Sequence, residues 1–200
     1  YAKEGTVIEE CSSTSNVSAK SQFIGGFAGA LGSDAAAVGA PGSIKRSYAT
    51  GTVTGSDTLG GFVGAVYQAS SIENCYARGS IDPNFASKNG GFIGFVNLEN
   101  GTPIVERSYF SGAFIDSGTG AFIGSTTIGQ SYSGAMTCYW HYPTAGALGN
   151  PVNSGATGAV TGPQSADLDE GNDFGDWNET TPHLWTFAAG SYPTLAWEHE

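Results

Sequence analysis

Apolar and polar positions alternate along the first 140 residues in runs of only a few residues, with glycine-rich corners between them. Runs this short, rich in Val, Ile, Phe and Tyr, predict brief strands joined by tight corners. No window in this region holds a sustained helical period. The pattern also repeats. Ile8-Glu-Glu-Cys11 leads to Gly25-Gly-Phe27-Ala-Gly29, and Ile44-Lys-Arg-Ser47-Tyr48 leads to Gly60-Gly-Phe62-Val-Gly64. Ile72-Glu-Asn-Cys75-Tyr76 leads to Gly90-Gly-Phe92-Ile-Gly94, and Val105-Glu-Arg-Ser108-Tyr109 leads to Gly120-Ala-Phe122-Ile-Gly124. A fifth unit begins at Ile128-Gly-Gln-Ser131-Tyr132 and then diverges. The repeat phenylalanines are 35, 30 and 30 residues apart.

A single unit of this kind cannot bury its apolar face, but a stack of units can. Stacking sets Phe27, Phe62, Phe92 and Phe122 in one ladder and Tyr48, Tyr76, Tyr109 and Tyr132 in another. The reading is an all-β parallel β-solenoid of four to five repeats, right-handed by the general crossover preference. A β-sandwich or propeller built from the same strands is the competing arrangement. The repeats occupy residues 1–139, with units at about 5–39, 40–70, 71–103, 104–127 and a partial unit at 128–139. Residues 140–200 form an aromatic-rich C-terminal cap. Within it, Pro163 to Gly171 reads as one short helix. Phe174, Trp177, Trp185, Phe187, Tyr192 and Trp197 are expected to seal an open solenoid end.

The units Ser47-Tyr-Ala-Thr-Gly-Thr-Val53 and Leu59-Gly-Gly-Phe62-Val-Gly64 resemble GLUG-motif repeats. Cys138-Tyr-Trp140 with Thr144-Ala-Gly146, and the tail with Tyr192-Pro-Thr-Leu195, are similar to the segments that close such arrays. The resemblance covers nearly the whole chain, although phenylalanine stands where the family name has leucine. Such repeats occur in bacterial and archaeal surface adhesins, in filamentous-haemagglutinin-like proteins and in some IgA-cleaving metallopeptidases. It implies extracellular display and a structural or adhesive role. The peptidase activity does not carry over, because His-Glu-x-x-His is absent.

Charge narrows the partners. The chain has 18 acids against 7 bases, a net charge of −11. That argues against a nucleic-acid partner, which needs basic patches, and against an anionic membrane surface. No run of about 18 apolar residues predicts membrane insertion. The charge is uneven: residues 1–107 hold nine acids and all seven bases, and residues 108–200 hold nine acids and no base. The chain starts at Tyr1 and its one methionine is Met136, which reads as a processed protein or a fragment with any leader removed.

Reactive chemistry is sparse. Cys11 and Cys75 share a slot with Ser47, Ser108 and Ser131, and Cys138 fits it once more. Two units separate Cys11 from Cys75, too far for a disulfide, so three free and buried thiols are expected. His141, His183 and His199 are scattered and belong to no nucleophile–base pattern. Asp167, Asp169, Glu170 and Asp173 offer close-set hard oxygens that could suit Ca²⁺, although the EF-hand spacing is broken. No other cofactor is implied. Asn16, Asn100 and Asn178 begin glycosylation sequons. A Thr-x-Thr pair at Thr52 and Thr54 does not recur on other rungs, which removes an ice-binding face.

Two functional classes follow, neither of them enzymatic. One is an extracellular structural or adhesion module that displays loops to a glycan or protein ligand, alone or within a larger surface protein. The alternative is a secreted subunit that polymerises head-to-tail with copies of itself into an extracellular filament.

Overall fold

The computed structural model describes residues 2, 5–33, 40–84, 88–115, 120–127, 130, 132–141, 164–166, 177 and 184–199. The chain winds through five short parallel sheets per coil. The first sheet stacks Val7–Glu9, Ser43–Lys45, Ser71–Glu73, Ile104–Glu106 and Ala135–Met136. The second stacks Ser12–Ser13, Tyr48–Ala49, Tyr76–Ala77, Tyr109–Phe110, Tyr139–His141 and Gln164–Ala166. The third holds Val17–Ala19, Val53–Gly55 and Ile81–Pro83, and the fourth holds Ile24–Gly25, Thr58–Gly60 and Lys88–Gly90. The fifth holds Ala28–Leu31, Val63–Val66, Ile93–Val96 and Ile123–Thr126. Equivalent residues pair in register from coil to coil, as in Ile8 with Ile44, Ile44 with Ile72 and Ile72 with Val105. This is a parallel β-solenoid.

The register puts like side chains one strand spacing apart. Phe27, Phe62, Phe92 and Phe122 stack at 4.8, 4.9 and 4.9 Å between ring centroids. That distance matches the ~4.8 Å between paired strands, so the rings ride directly above one another. Ile44, Val53, Leu59, Phe62 and Val63 of coil 2 are fully buried, as are Ile72, Ile81, Phe92 and Ile93 of coil 3.

Two glycines make the Gly-Gly-Phe corner possible. A Cβ on Gly60 would fall on the carbonyl oxygen of Val63 and 2.7 Å from the amide nitrogen of Gly94. The fourth and fifth sheets can therefore approach this closely only where the side chain is absent. The second glycine faces along the axis. A Cβ on Gly61 would meet the carbonyl of Gly91, and one on Gly91 would meet the carbonyl of Ala121. Coil 4 carries Ala121 at this point, and among the described residues no further corner of this kind stacks on it.

Between the first and second sheets the chain turns at Glu10, Arg46, Asn74, Arg107 and Thr137, all with φ between 43° and 52°. The next residue is the small slot of the repeat. Ser47 Oγ donates to the Lys45 carbonyl at 2.8 Å and accepts from the Cys11 amide at 3.2 Å. Ser108 does the same with Glu106 and Cys75, at 2.8 and 3.1 Å. A short side chain with one donor thus closes each left-handed corner.

Several expectations differ from the structure. Tyr132 does not extend the tyrosine ladder; it is buried in the main core and donates to the Pro103 carbonyl at 3.1 Å. Tyr139 takes the place opposite Tyr109, because Tyr139-Trp140 matches the aromatic pair Tyr109-Phe110. Of the short helix expected at Pro163–Gly171, the described part, Gln164–Ala166, is a strand paired with Tyr139–His141. The open edge of the second sheet supplies backbone partners that so short a helix could not replace. The described aromatics of the tail do not seal an end of the stack. They lie along its flank.

Candidate functional site

The flank is built from the second sheet. Alanine and phenylalanine alternate with tyrosine there, so Ala49, Ala77 and Phe110 enter the core while the tyrosines face outward. Tyr48, Tyr76 and Tyr109 stack at 4.8 and 5.0 Å, with planes within 8°. Such a strip of rings needs a cover. The hairpin of Trp185–Ala188 and Ser191–Leu195, with the turn Ala196–His199, lies over it as a strap. Trp197 stacks on Tyr48, Trp185 packs on Tyr76 and Tyr109, and Trp177 packs on Tyr109 and Tyr139.

Three indoles also reach the left-handed corners. Trp197 donates to the Arg46 carbonyl at 2.8 Å, Trp185 to Asn74 Oδ1 at 3.1 Å and Trp177 to the Thr137 carbonyl at 3.0 Å. Each N–H that would be costly to bury is thereby satisfied.

Arg78 is the pivot. Its Nε donates to Tyr109 Oη at 2.8 Å, its Nη2 donates to the Pro193 carbonyl, and its guanidinium lies 4.4 Å from the Tyr76 ring centroid. Burial alone would pull this group down, but Tyr109, Tyr76 and Glu198 hold it above its usual value. Tyr76 donates to Glu198 Oε2 at 2.8 Å, and the Leu195 amide donates to Glu198 Oε1 at 2.6 Å. Burial pushes both Tyr76 and Tyr109 well above the usual phenol range, so neither is poised to act as a base. Arg78→Met should loosen the strap at a cost on the order of 2 kcal/mol. Faster chymotryptic cleavage near Trp197, with the Phe ladder still folded by circular dichroism, would show it; an unchanged cleavage rate would count against this role.

The thiols need one correction. All three cysteines are free, but Cys11 is exposed, while Cys75 and Cys138 are buried. The slot is the same; coil 1 simply has no described coil above it. Burial pushes the Cys138 thiol up to about 12 and Cys75 higher still. A disulfide-exchange reagent should therefore titrate one thiol in the native protein and three in denaturant. Rapid reaction of two or more native thiols would contradict the burial.

Among the expected sites, Asn16 and Asn100 are exposed. Asn16 Oδ1 accepts from the Thr52 amide at 2.9 Å, so that side chain already caps the coil 2 turn. Asp167, Asp169, Glu170, Asp173 and Asn178 lie outside the described residues. Among the described residues no group of three or more His, Cys, Asp or Glu side chains is placed to hold a metal ion. On the opposite flank Phe23, Tyr67 and Phe95 form a small cluster, with Lys88 Nζ 5.8 Å from the Phe95 centroid. These rings pack on one another, at 6.0 Å for Phe23–Tyr67 and 6.4 Å for Phe23–Phe95.

The remaining feature is the end of the stack at coil 1. Ile8, Val17 and Phe27 are only partly buried there, whereas their counterparts Ile44, Val53 and Phe62 are fully buried. Val7 is 68% exposed. Among the described residues no strand pairs with the outer edges of Val7–Glu9, Ser12–Ser13, Val17–Ala19 or Ile24–Gly25.

Residues 55–82 match the family model of the GLUG motif. That stretch is a GLUG motif. The matched stretch is just short of one circuit of the solenoid, since Gly55 pairs with Pro83 one coil on. The GLUG segment thus includes the fourth-sheet strand, the Gly60-Gly-Phe62 corner, the fifth-sheet strand and the left-handed corner at Asn74. The glycines of the motif are those that allow the close sheet approach, and its aromatic is the ladder ring. GLUG motifs are found in extracellular repeat proteins. Searches among curated proteins and among solved structures return no match.

Proposed function

We propose that this GLUG-repeat solenoid is an extracellular, non-catalytic structural and adhesion module, a stiff rod that presents its connecting loops to a glycan or protein ligand. The observation that carries this reading is the contrast between a fixed frame and changing connections. Paired residues keep one register through the coils, while the segments joining the fifth sheet to the next coil run from Tyr67–Ser70 in coil 2 to Asn97–Pro103 in coil 3. Loops held on a rigid scaffold are where binding residues are usually placed. Cys75 and Cys138 are buried and Arg78 is tied to Tyr109 and Pro193, which leaves Cys11 as the exposed thiol among the described residues.

A head-to-tail filament would need a free edge at both ends. At coil 5 the second sheet continues into Gln164–Ala166, so a head-to-tail contact through that sheet would be made by this strand and not by coil 5 itself. The test has two arms. An antibody against the chain should label intact source cells or their medium. The full chain should bind on an array of glycans and matrix proteins, and shortening the Asn97–Pro103 loop should abolish at least one such interaction without lowering the melting temperature. Labelling only after cell lysis, or binding that survives shortening of every connecting loop, would overturn the proposal.

A further inference from the structure

We propose that Asn100 is a site of self-modification: the main-chain nitrogen of Gly101 displaces its side-chain amide, and water then leaves aspartate or isoaspartate in the loop Asn97–Pro103. Asn-Gly occurs twice in the sequence, at Asn89-Gly90 and at Asn100-Gly101. The dipeptide is reactive because glycine has no side chain to keep its nitrogen from the asparagine Cγ. Whether it reacts depends on the freedom that the fold leaves it.

The two pairs have opposite surroundings. Asn89 is 1% exposed and lies in the strand Lys88–Gly90, which pairs in register with Thr58–Gly60. Its carbonyl accepts from the Gly120 amide at 2.8 Å, so coil 4 holds it as well. Gly90 is equally enclosed, since a Cβ there would fall on the Ile93 carbonyl oxygen and the Gly124 amide nitrogen. Closing a ring between Asn89 and Gly90 would first require this strand to open. Asn100, Gly101 and Thr102, by contrast, are exposed and belong to no strand. The loop is anchored ahead of them, where the Asn97 amide donates to the Val66 carbonyl and the Leu98 amide to Thr127 Oγ1, both at 2.9 Å. Among the described residues no hydrogen bond ties the Asn100 side chain or the Gly101 amide.

The chemistry balances with water as its one co-reactant. The Gly101 nitrogen gives up its proton and bonds to Asn100 Cγ. The bond from Cγ to the side-chain nitrogen breaks, and ammonia leaves with that proton. Water then opens the cyclic imide. Opening at Cγ gives aspartate; opening at the main-chain carbonyl leaves the chain running through Cγ, as isoaspartate. Nothing is oxidised or reduced. Either product sets a carboxylate beside the exposed Glu99, where the loop had a neutral amide. Asn100 also begins the sequon Asn100-Gly-Thr102, and the nitrogen it loses is the atom to which a glycan would be joined. That the change alters ligand binding rests on the adhesive reading; the chemistry itself does not, and either can fail without the other.

The test holds the full chain at neutral pH and physiological temperature, native and in denaturant, and maps its peptides by mass spectrometry over time. In the native chain Asn100 should exchange its amide nitrogen for oxygen at least about tenfold faster than Asn89, because only Asn89 waits on opening of a strand. Isoaspartate should form alongside aspartate, detected with an isoaspartyl methyltransferase. In denaturant the two sites should convert at similar rates. Asn100→Gln, which would have to close a larger ring, should keep its amide while the melting temperature holds. A smaller native margin, a margin that persists in denaturant, or conversion of Asn100 to aspartate alone would overturn the proposal. So would a native Asn100 that keeps its amide while the denatured chain converts.

Discussion

Phe92→Ala should lower the free energy of unfolding by about 3–5 kcal/mol, the range for deleting a large buried ring. Phe92 is fully buried and is stacked on both faces, by Phe62 and by Phe122, each at 4.9 Å. Its removal opens a gap that neighbours cannot close, because their backbones are fixed by pairing above and below. In a solenoid the interface between coils carries much of the stability, so a gap in the middle weakens both sides of the stack. Guanidinium melts of the two proteins measure the difference directly. A loss under about 1 kcal/mol would mean that the ring makes no internal contact worth a buried side chain.

Gly60→Ala should be at least as damaging, for the opposite reason. The added methyl would coincide with the Val63 carbonyl oxygen and press to 2.7 Å on the Gly94 amide nitrogen. Neither atom sits on a side chain that could swing away, so two sheets must part. The expected cost is about 3 kcal/mol or more, at or beyond the upper end of overpacking effects. Gly190→Ala is the matched control. Gly190 has φ +73° and no atom within 4 Å of a built Cβ. The change there strains only the backbone, and the net cost should be about 1 kcal/mol or less. Equal melting points for the two variants would show that the close sheet approach does not need the missing side chain.

Much of this frame was legible in the residues, and the reason is physical. A solenoid sets equivalent positions one strand apart, so the spacing of Phe27, Phe62, Phe92 and Phe122 in the chain translates directly into a ladder. The shared Cys and Ser slot was visible for the same reason. Its cause was not, because the left-handed corner before it is occupied by Glu10, Arg46, Asn74, Arg107 and Thr137, none of which is glycine. The signal is the small donor that follows.

Periodicity is silent on which way a ring points. The tyrosines repeat as faithfully as the phenylalanines, yet one ladder lies inside and the other outside. The strap that covers the outer ladder makes contacts across 114 residues from Arg78 to Tyr192 and 151 from Arg46 to Trp197. Such pairs share no period. The hint available was compositional: a tail with three tryptophans after Trp140, and Arg78 at the position after Tyr76-Ala77 where the neighbouring units carry Thr50 and Ser111. Ser131 and Cys138 fit the small slot equally well, and only the pairing of Tyr139-Trp140 with Tyr109-Phe110 decides between them.

Ala121 gives the rod a counting rule on its Gly-Gly-Phe side. In coils 1 to 3 the second glycine leaves room for the carbonyl of the coil that follows; in coil 4 a methyl group fills that room. A duplicate of coil 3 spliced in before coil 4 would meet glycine on one side and its native neighbour on the other, and the lengthened protein should still fold. The same duplicate placed directly after coil 4 would drive an oxygen into a methyl. One carbon atom acts there as a stop, and Ala121→Gly is the change that would lift it.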